Sequence, residues 1–286
     1  MSILGTEGEF VDEVIEYPVS LGKSDQAFKL FRQLRNLKCT QLVYLLPERG
    51  LLQTWRDWLF FKLVGFKTLH CFPQTFEMRK RQLDSVTGLA EREAVRLARC
   101  CEGLGEIDLQ QLENWDLKLS PREIDSADET CSVLQPSPFI ALNMGGKAEE
   151  KDWGFDNWVG LFEKLQAPLD TYGLLVLGAG SDHKRAEKFL KNWPGPKLNA
   201  CGLFTPRESA AAVKHAQLFV GHDSGPLHLA AAMQVPCVGL FGNFNRPIEW
   251  HPFGGEVSII HEMRGLDHIQ IEHVASLILK KLGNEK

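Results

Sequence analysis

No apolar run in this 286-residue chain approaches the ~20 residues needed to cross a bilayer. The N-terminus carries no charged-then-apolar signal region. Excess positive charge is missing as well. The formal net charge is -5 with 44% hydrophobic and 24% charged residues, the profile of an ordinary globular protein with no global attraction to nucleic acid. There are seven cysteines, an odd number, and none forms a C-x-x-C pair. Reduced thiols in a cytosol are the simplest expectation, and with them a cytoplasmic location. Internal repeats and low-complexity tracts are absent, and the length favours two domains over one.

What is present falls into two parts. The first, residues 1–135, reads as mixed and irregular. "DQAFKLFRQLRNL" has helical spacing with Ser24 or Asp25 as N-cap, "TQLVYLLP" reads as a short strand, and "LLQTWRDWLFFKLVG" returns to helical period. A further helix is expected over 90–102. The acidic, proline-punctuated segment 116–138 reads as an interdomain linker. From residue 136 onward, short apolar strands alternate with amphipathic helices: "PFIALNMGG", "YGLLVLGAG", "QLFVG", "PCVGLFG" and "EVSII" are the strands. Such alternation predicts an α/β fold with a parallel sheet covered on both faces. Ligands of these sheets bind at the carboxyl ends of the strands, which places residues 143–147, 178–182, 222–225 and 242–245 on one rim.

The stretch "FVGHDSGPLHLAAAMQVPCVGLFG" carries the chemistry. Asp223 or Ser224 can cap the following helix, Gly225 admits a ligand close to the backbone, and Pro226 suits a first helical turn. The free N–H groups and positive dipole end of that helix then suit a phosphate. A well-capped helix without a ligand is the plain alternative. A serine hydrolase is excluded, because the G-x-S-x-G elbow is missing and the region alternates strand and helix. A metal site built on His222, Asp223 and His228 lacks a second cluster to support it. Asn143, Gly145 and Gly146 follow the first strand of the regular part. Beyond them, Lys147 and Lys151 compete to neutralise a diphosphate. Asp182 follows the glycine turn at Gly178 and Gly180, where it accepts from ribose hydroxyls or simply caps a helix.

"DSGPLHLAAAMQVPCVGLFG" closely resembles the signature of ADP-heptose:lipopolysaccharide heptosyltransferases. Two further segments are similar to that family's: "GGKAEEKDW", where Lys151 and Trp153 fill its K-x-W, and "GAGSDHKRAEKF", where Asp182 stands for the usual Glu. The resemblance implies a GT-B fold of two Rossmann-like domains and metal-independent, inverting sugar transfer. It implies no cofactor: a nucleotide-sugar donor, ADP-heptose-like, meets a glycan or glycolipid acceptor, with no nucleic acid involved. A peripheral contact with the inner membrane face is compatible with this. By position Lys151 contacts the diphosphate and Asp182 the ribose. Asn143, Gly145, Gly146, Asp223, Ser224, Gly225 and His228 line the donor pocket. The family's general base lies in an N-terminal strand–loop that "MSILGTEGEFVDEVIEYP" does not show. The N-terminal domain therefore reads as shortened and the base is unassigned, with Asp12, Glu13 or Glu16 as alternatives that no positional argument separates. Three explanations stay open: a start further upstream, a partner that completes the domain, or nucleotide-sugar binding without efficient transfer. A sugar-nucleotide epimerase of the same architecture is the remaining alternative.

Overall fold

The computed structural model describes residues 10–16, 24–46, 48–146 and 148–284. Lys147 and the side chain of Ser24 lie outside them. The described residues form two compact units, one within residues 14–109 and 247–249, the other within residues 10–13, 110–246 and 250–284.

The first unit contains helices α1 (Ser24–Asn36), α2 (Leu51–Val64), α3 (Phe76–Arg79) and α4 (Glu93–Cys100). Its strands β1 (Gln41–Val43) and β2 (Thr68–His70) pair in parallel, with Leu42 opposite Leu69. Tyr44 packs against Phe72 at 4.6 Å and donates its hydroxyl to Asp57 at 2.8 Å. Much of the remaining cohesion is ionic. The buried Arg96 guanidinium reaches Glu93 at 2.6 Å and the carbonyls of Leu46 and Met78 at 2.6 and 3.1 Å. Arg81 joins Glu93, Glu48 and Glu249 at 3.0–3.5 Å. Carboxylate and carbonyl oxygens, with the Cys100 sulfur at 3.8 Å, thus surround the Arg96 guanidinium, as its burial requires. The helix expected over 90–102 is shorter, because a 3-10 turn takes over at Glu102. One expectation about the thiols fails here: Cys71 and Cys101 form a disulfide, while Cys39, Cys100, Cys131, Cys201 and Cys237 are free. These two lie 30 residues apart, outside any short spacing pattern.

The second unit is a six-stranded, all-parallel sheet in the order β5-β4-β3-β6-β7-β8. The strands are β3 (Phe139–Asn143), β4 (Gly173–Leu177), β5 (Lys197–Asn199), β6 (Leu218–His222), β7 (Cys237–Phe241) and β8 (Val257–His261). Helix α5 (Pro121–Cys131) precedes them, α6 (Phe155–Leu165), α7 (His183–Leu190), α8 (Pro206–Val213) and α9 (Gly225–Ala232) run between them, and α10 (Ile271–Lys281) follows. Successive side chains of a strand point to opposite faces, so each strand feeds two cores. Ile140, Leu142, Val220 and Val238 pack with Trp158, Leu161, Phe162 and Ile278 on one side. Phe139, Ala141, Phe219 and Cys237 pack with Ala127, Ala211 and Ala230 on the other. Burial on both faces is why these strands read as continuous apolar runs.

The segment expected to be a linker is mostly helix. Ser120 and Glu123 form a reciprocal capping box at its start. Its inner face presents Glu123 to the fully buried Arg207 of α8, at 2.5 and 3.0 Å. The same guanidinium takes the carbonyls of Leu117 and Lys118, each at 2.7 Å. Arg207 thereby holds the Glu123 carboxyl down at about 2. The acidic composition of the segment concealed this buried face.

Candidate functional site

The chain runs from β3 outward through β4 to β5, then returns to place β6 beside β3. Neighbouring strands β3 and β6 thus have connections leaving in opposite directions, which opens a crevice beyond their carboxyl ends. The last residues of those two strands are Asn143 and His222. Asn143 donates its amide to the Leu177 carbonyl at 2.9 Å and accepts from the Ser224 hydroxyl at 3.0 Å. That second bond spans the crevice and ties the ends of β3 and β6 together.

Ser224 stands at the N-cap position of α9, yet its side chain makes no capping bond. Its hydroxyl is turned instead to Asn143 and, at 3.3 Å, to the His222 carbonyl. The expected cap is therefore not made, and the first turn of α9 is left without a side-chain partner for its amides. Space above Gly225 is open: a Cβ there would meet nothing within 4 Å. A helix N-terminus in that condition favours an anion.

The Lys151 Nζ reaches the same place from the loop after β3. It pairs with Asp223 Oδ2 at 2.8 Å and donates to the Asp223 carbonyl at 3.3 Å. The ammonium also lies over the Phe244 ring, 4.5 Å from its centroid. Asp223 takes a further bond from the Asn245 amide at 2.5 Å. The backbone oxygen of Asn245 faces His261 Nε2 at 3.2 Å, and His261 Nδ1 faces His251 Nε2 at 3.0 Å. Position 245 was expected on the rim, but its bond to Asp223, the part played by Phe244 and the histidine pair were not. These are contacts between residues 10 to 93 positions apart, for which the only signal was the rim itself.

Trp153 fixes the loop that carries Lys151. Its backbone N–H donates to His222 Nε2 at 3.2 Å and its indole N–H to the Ile269 carbonyl at 3.2 Å. Beneath the loop Trp158 meets Trp153 and His222 edge-on, each with its centroid 5.3 Å away. Burial depresses the His222 pKa to about 4, so the ring is neutral, with Nε2 the acceptor. His228 is also pushed down by burial, between the charges of Asp223 and Lys151. A salt bridge between Asp152 and Arg185 anchors the other side of the loop.

Asp182 folds back over the crevice. Its Oδ2 accepts from the Ala179 N–H at 2.9 Å, closing the turn after β4. A Cβ added at Gly145 would lie 2.6 Å from the Asp182 Cγ, and one at Gly178 would lie 2.8 Å from Oδ2. A side chain at either position would therefore have to displace the carboxylate that rests on it. Gly146 is under no such demand, its nearest contact being an ordinary 3.5 Å. Asn143, Gly145, Gly146, Lys151, Asp182, Asp223, Ser224, Gly225 and His228 therefore all belong to one strand-end rim. Asp12, Glu13 and Glu16 are solvent-exposed. Among the described residues no group of three or more His, Cys, Asp or Glu side chains is placed to share a metal ion. No described helix is long and apolar enough to cross a membrane.

Residues 86–272 match glycosyltransferase family 9 (heptosyltransferase). A lipopolysaccharide heptosyltransferase 3 of Escherichia coli is 40% identical over 62 residues, which is 22% of this chain and 18% of that protein's length. Among solved structures, a family 9 glycosyl transferase of Veillonella parvula superposes with a TM-score of 0.68 at 18% identity, over 95% of this chain and 82% of the other. An Escherichia coli heptosyltransferase with ADP gives 0.61 at 13% identity, over 92% and 79%.

Proposed function

The chain belongs to glycosyltransferase family 9, and from that premise we propose that it transfers a heptose-like sugar from a nucleotide diphosphate, ADP-heptose-like, to a lipopolysaccharide-core or related glycan acceptor. The observation that carries this reading is the crevice at the ends of β3 and β6, where Lys151 and the uncapped start of α9 converge. An acceptor hydroxyl oxygen attacks the anomeric carbon, the bond from that carbon to the diphosphate oxygen breaks, and the electron pair leaves with the diphosphate. Lys151 exchanges Asp223 for the departing phosphate, and the α9 amides share the charge. Attack opposite the leaving group inverts the anomeric carbon, and the reading uses neither metal nor cofactor. Asp182 serves the ribose, and the acceptor's proton goes to a base not assigned among the residues above. The reaction is placed in the cytoplasm, where nucleotide sugars are made.

Lys151→Ala is expected to lower turnover at least about tenfold, a loss of ~1.4 kcal/mol of transition-state stabilisation. Unchanged kinetics in that variant would remove Lys151 from the mechanism. The absence of any thermal shift with ADP-, UDP-, GDP- or CMP-sugars would sink the whole reading, since a ligand of the native state must raise its stability.

A second reading rests on the small, two-stranded sheet of the first unit. It makes the protein a nucleotide-sugar-binding module that transfers poorly. Donor binding by calorimetry without transfer or donor hydrolysis would favour it. Epimerisation, the third reading, is tested by following the donor's sugar stereochemistry with no acceptor present.

A further inference from the structure

The loop after β7 brings two side chains to the rim, Phe244 against the Lys151 ammonium and Asn245 against Asp223. Its backbone is held from the neighbouring strand. Among the described residues, His261 is the only side chain that hydrogen-bonds the backbone of residues 242–246. His261 ends β8 and stands in register with Phe241, the last residue of β7. The Phe241 ring stacks on that imidazole, with centroids 5.6 Å apart and planes at 29°. It also meets His251 edge-on at 4.8 Å, so one buried aromatic supports both histidines.

The partners fix where the protons lie. A carbonyl oxygen only accepts, so His261 carries its hydrogen on Nε2, 3.2 Å from the Asn245 oxygen. The neutral ring then has a bare Nδ1, and His251 Nε2, 3.0 Å away, is the donor to it. Of the two neutral tautomers open to His261, the His251 N–H therefore selects one. Asn245 is gripped at both ends. Its carbonyl takes the His261 N–H, and its side-chain amide donates to Asp223 Oδ2 at 2.5 Å. That is the same oxygen that faces Lys151 at 2.8 Å.

We propose that His261 is a positioning residue for sugar transfer, acting through Asn245, with His251 setting its tautomer. The inference rests on the sugar-transfer reading above, in which Lys151 leaves Asp223 as the diphosphate departs. An amide that shares the carboxylate oxygen weakens the hold of that oxygen on the ammonium. Without the His261 N–H the Asn245 peptide is released, and its amide no longer stands where it shares the oxygen. The loss falls on the departure step, and so on kcat more than on donor KM.

Ring-nitrogen NMR spectra of the full chain at about pH 8 test the pairing, because protonated and bare nitrogens of a neutral histidine resonate far apart. His261 is expected to be protonated on Nε2 alone, and H251F to let it populate both tautomers. With ADP-heptose and lipopolysaccharide core as substrates, H261F is expected to lower kcat about fivefold, the worth of one hydrogen bond. Its donor KM should stay within about twofold of the wild type. H261Q, whose amide can donate from near the Nε2 position, is expected to recover most of the loss. N245A removes the link to Asp223, so adding H261F to it should cost nothing further. The Asn245 side-chain amide resonances, which need no substrate, should move in H261F and stay near their wild-type positions in H261Q. The inference is overturned by His261 protonated on Nδ1 with Nε2 bare, or by H261F that turns over as the wild type does or leaves the Asn245 amide in place. It is overturned equally by H261Q no better than H261F, or by H261F slowing N245A as much as it slows the wild type. Wild type that transfers no sugar would count instead against the sugar-transfer reading, and the ring and amide spectra would still decide the positioning.

Discussion

The two units of this chain solve the same problem with different materials. The second buries apolar side chains on both faces of its parallel sheet, and its largest fully buried residues, Trp153 and Trp158, are sealed from water. Among its described residues the first has two short strands and a buried cluster of three cysteines, Cys71, Cys100 and Cys101. Around them Arg81, Arg96, Glu48, Glu93 and Glu249 supply an ionic frame, while α2 holds leucine and tryptophan out to solvent. Apolar content is therefore not the difference between the units; its placement is. A sheet with both faces covered consumes its apolar residues internally, and a two-stranded one leaves some of them at the surface.

Two tryptophans give the sharpest test of that contrast. Trp158→Ala, in the second unit, is expected to cost about 3–5 kcal/mol, the usual loss for a large buried aromatic. Trp55→Ala, in the first, should stay within about 0.5 kcal/mol of wild type, as exposed substitutions do. Urea melts of the two variants measure this directly, and similar losses would break the comparison.

Acid should act chiefly on the second unit. The unfolded chain takes up a proton at His222 near pH 6.5, whereas the buried ring resists until about pH 4. Stability from this group is complete above pH 6.5 and is lost as pH falls through that window. Glu123 follows, its contribution present above pH 4.5 and lost on the way down to about 2. Melting temperature against pH should show both steps. Glu123→Gln should flatten the lower one, worth on the order of 2 kcal/mol. A lower limb unchanged in that variant would show that the Arg207 pair is not what acid breaks.

The smallest effect separates two adjacent glycines. Gly145→Ala drives a methyl into the Asp182 carboxylate and is expected to weaken nucleotide-sugar binding about tenfold, or ~1.4 kcal/mol. Gly146→Ala makes only ordinary contacts and should stay within about threefold. Calorimetry on both variants decides it. Equal losses would mean that Asp182 does not rest where the structure puts it.

How much of this was legible beforehand follows the same division of materials. The strands β3, β4, β6 and β7 were readable because a strand buried on both faces needs an unbroken apolar run. Edge strand β5, Lys197–Asn199, was not, being three residues with polar ends. Helix α5 hid behind its acids, although Ser120 and Glu123 carried the capping-box signal. The rim could be drawn from strand order and glycine turns, which is why residues as distant as Gly145 and His228 were placed together. What the sequence withheld was direction. Nothing local says that Ser224 turns away from its helix, or that Asp182 reaches back over Gly145. Trp153 as the clamp of the Lys151 loop likewise depends on His222, 69 residues on.

The ion pair between Lys151 and Asp223 has one more consequence, for the company the protein keeps in a cell. Chloride, inorganic phosphate and free carboxylates surround any such site, and a bare ammonium beside a helix start would attract them all. Here the lysine already has a tethered counter-ion, with Asn245 holding that carboxylate in place. A visiting anion must outcompete a neighbour that never diffuses away. On the proposed function, small ions that touch the lysine alone would lose that contest, whereas a diphosphate reaching both the lysine and the α9 amides would win it. The resting pair would then act as a selectivity device, screening the solution before any sugar is recognised.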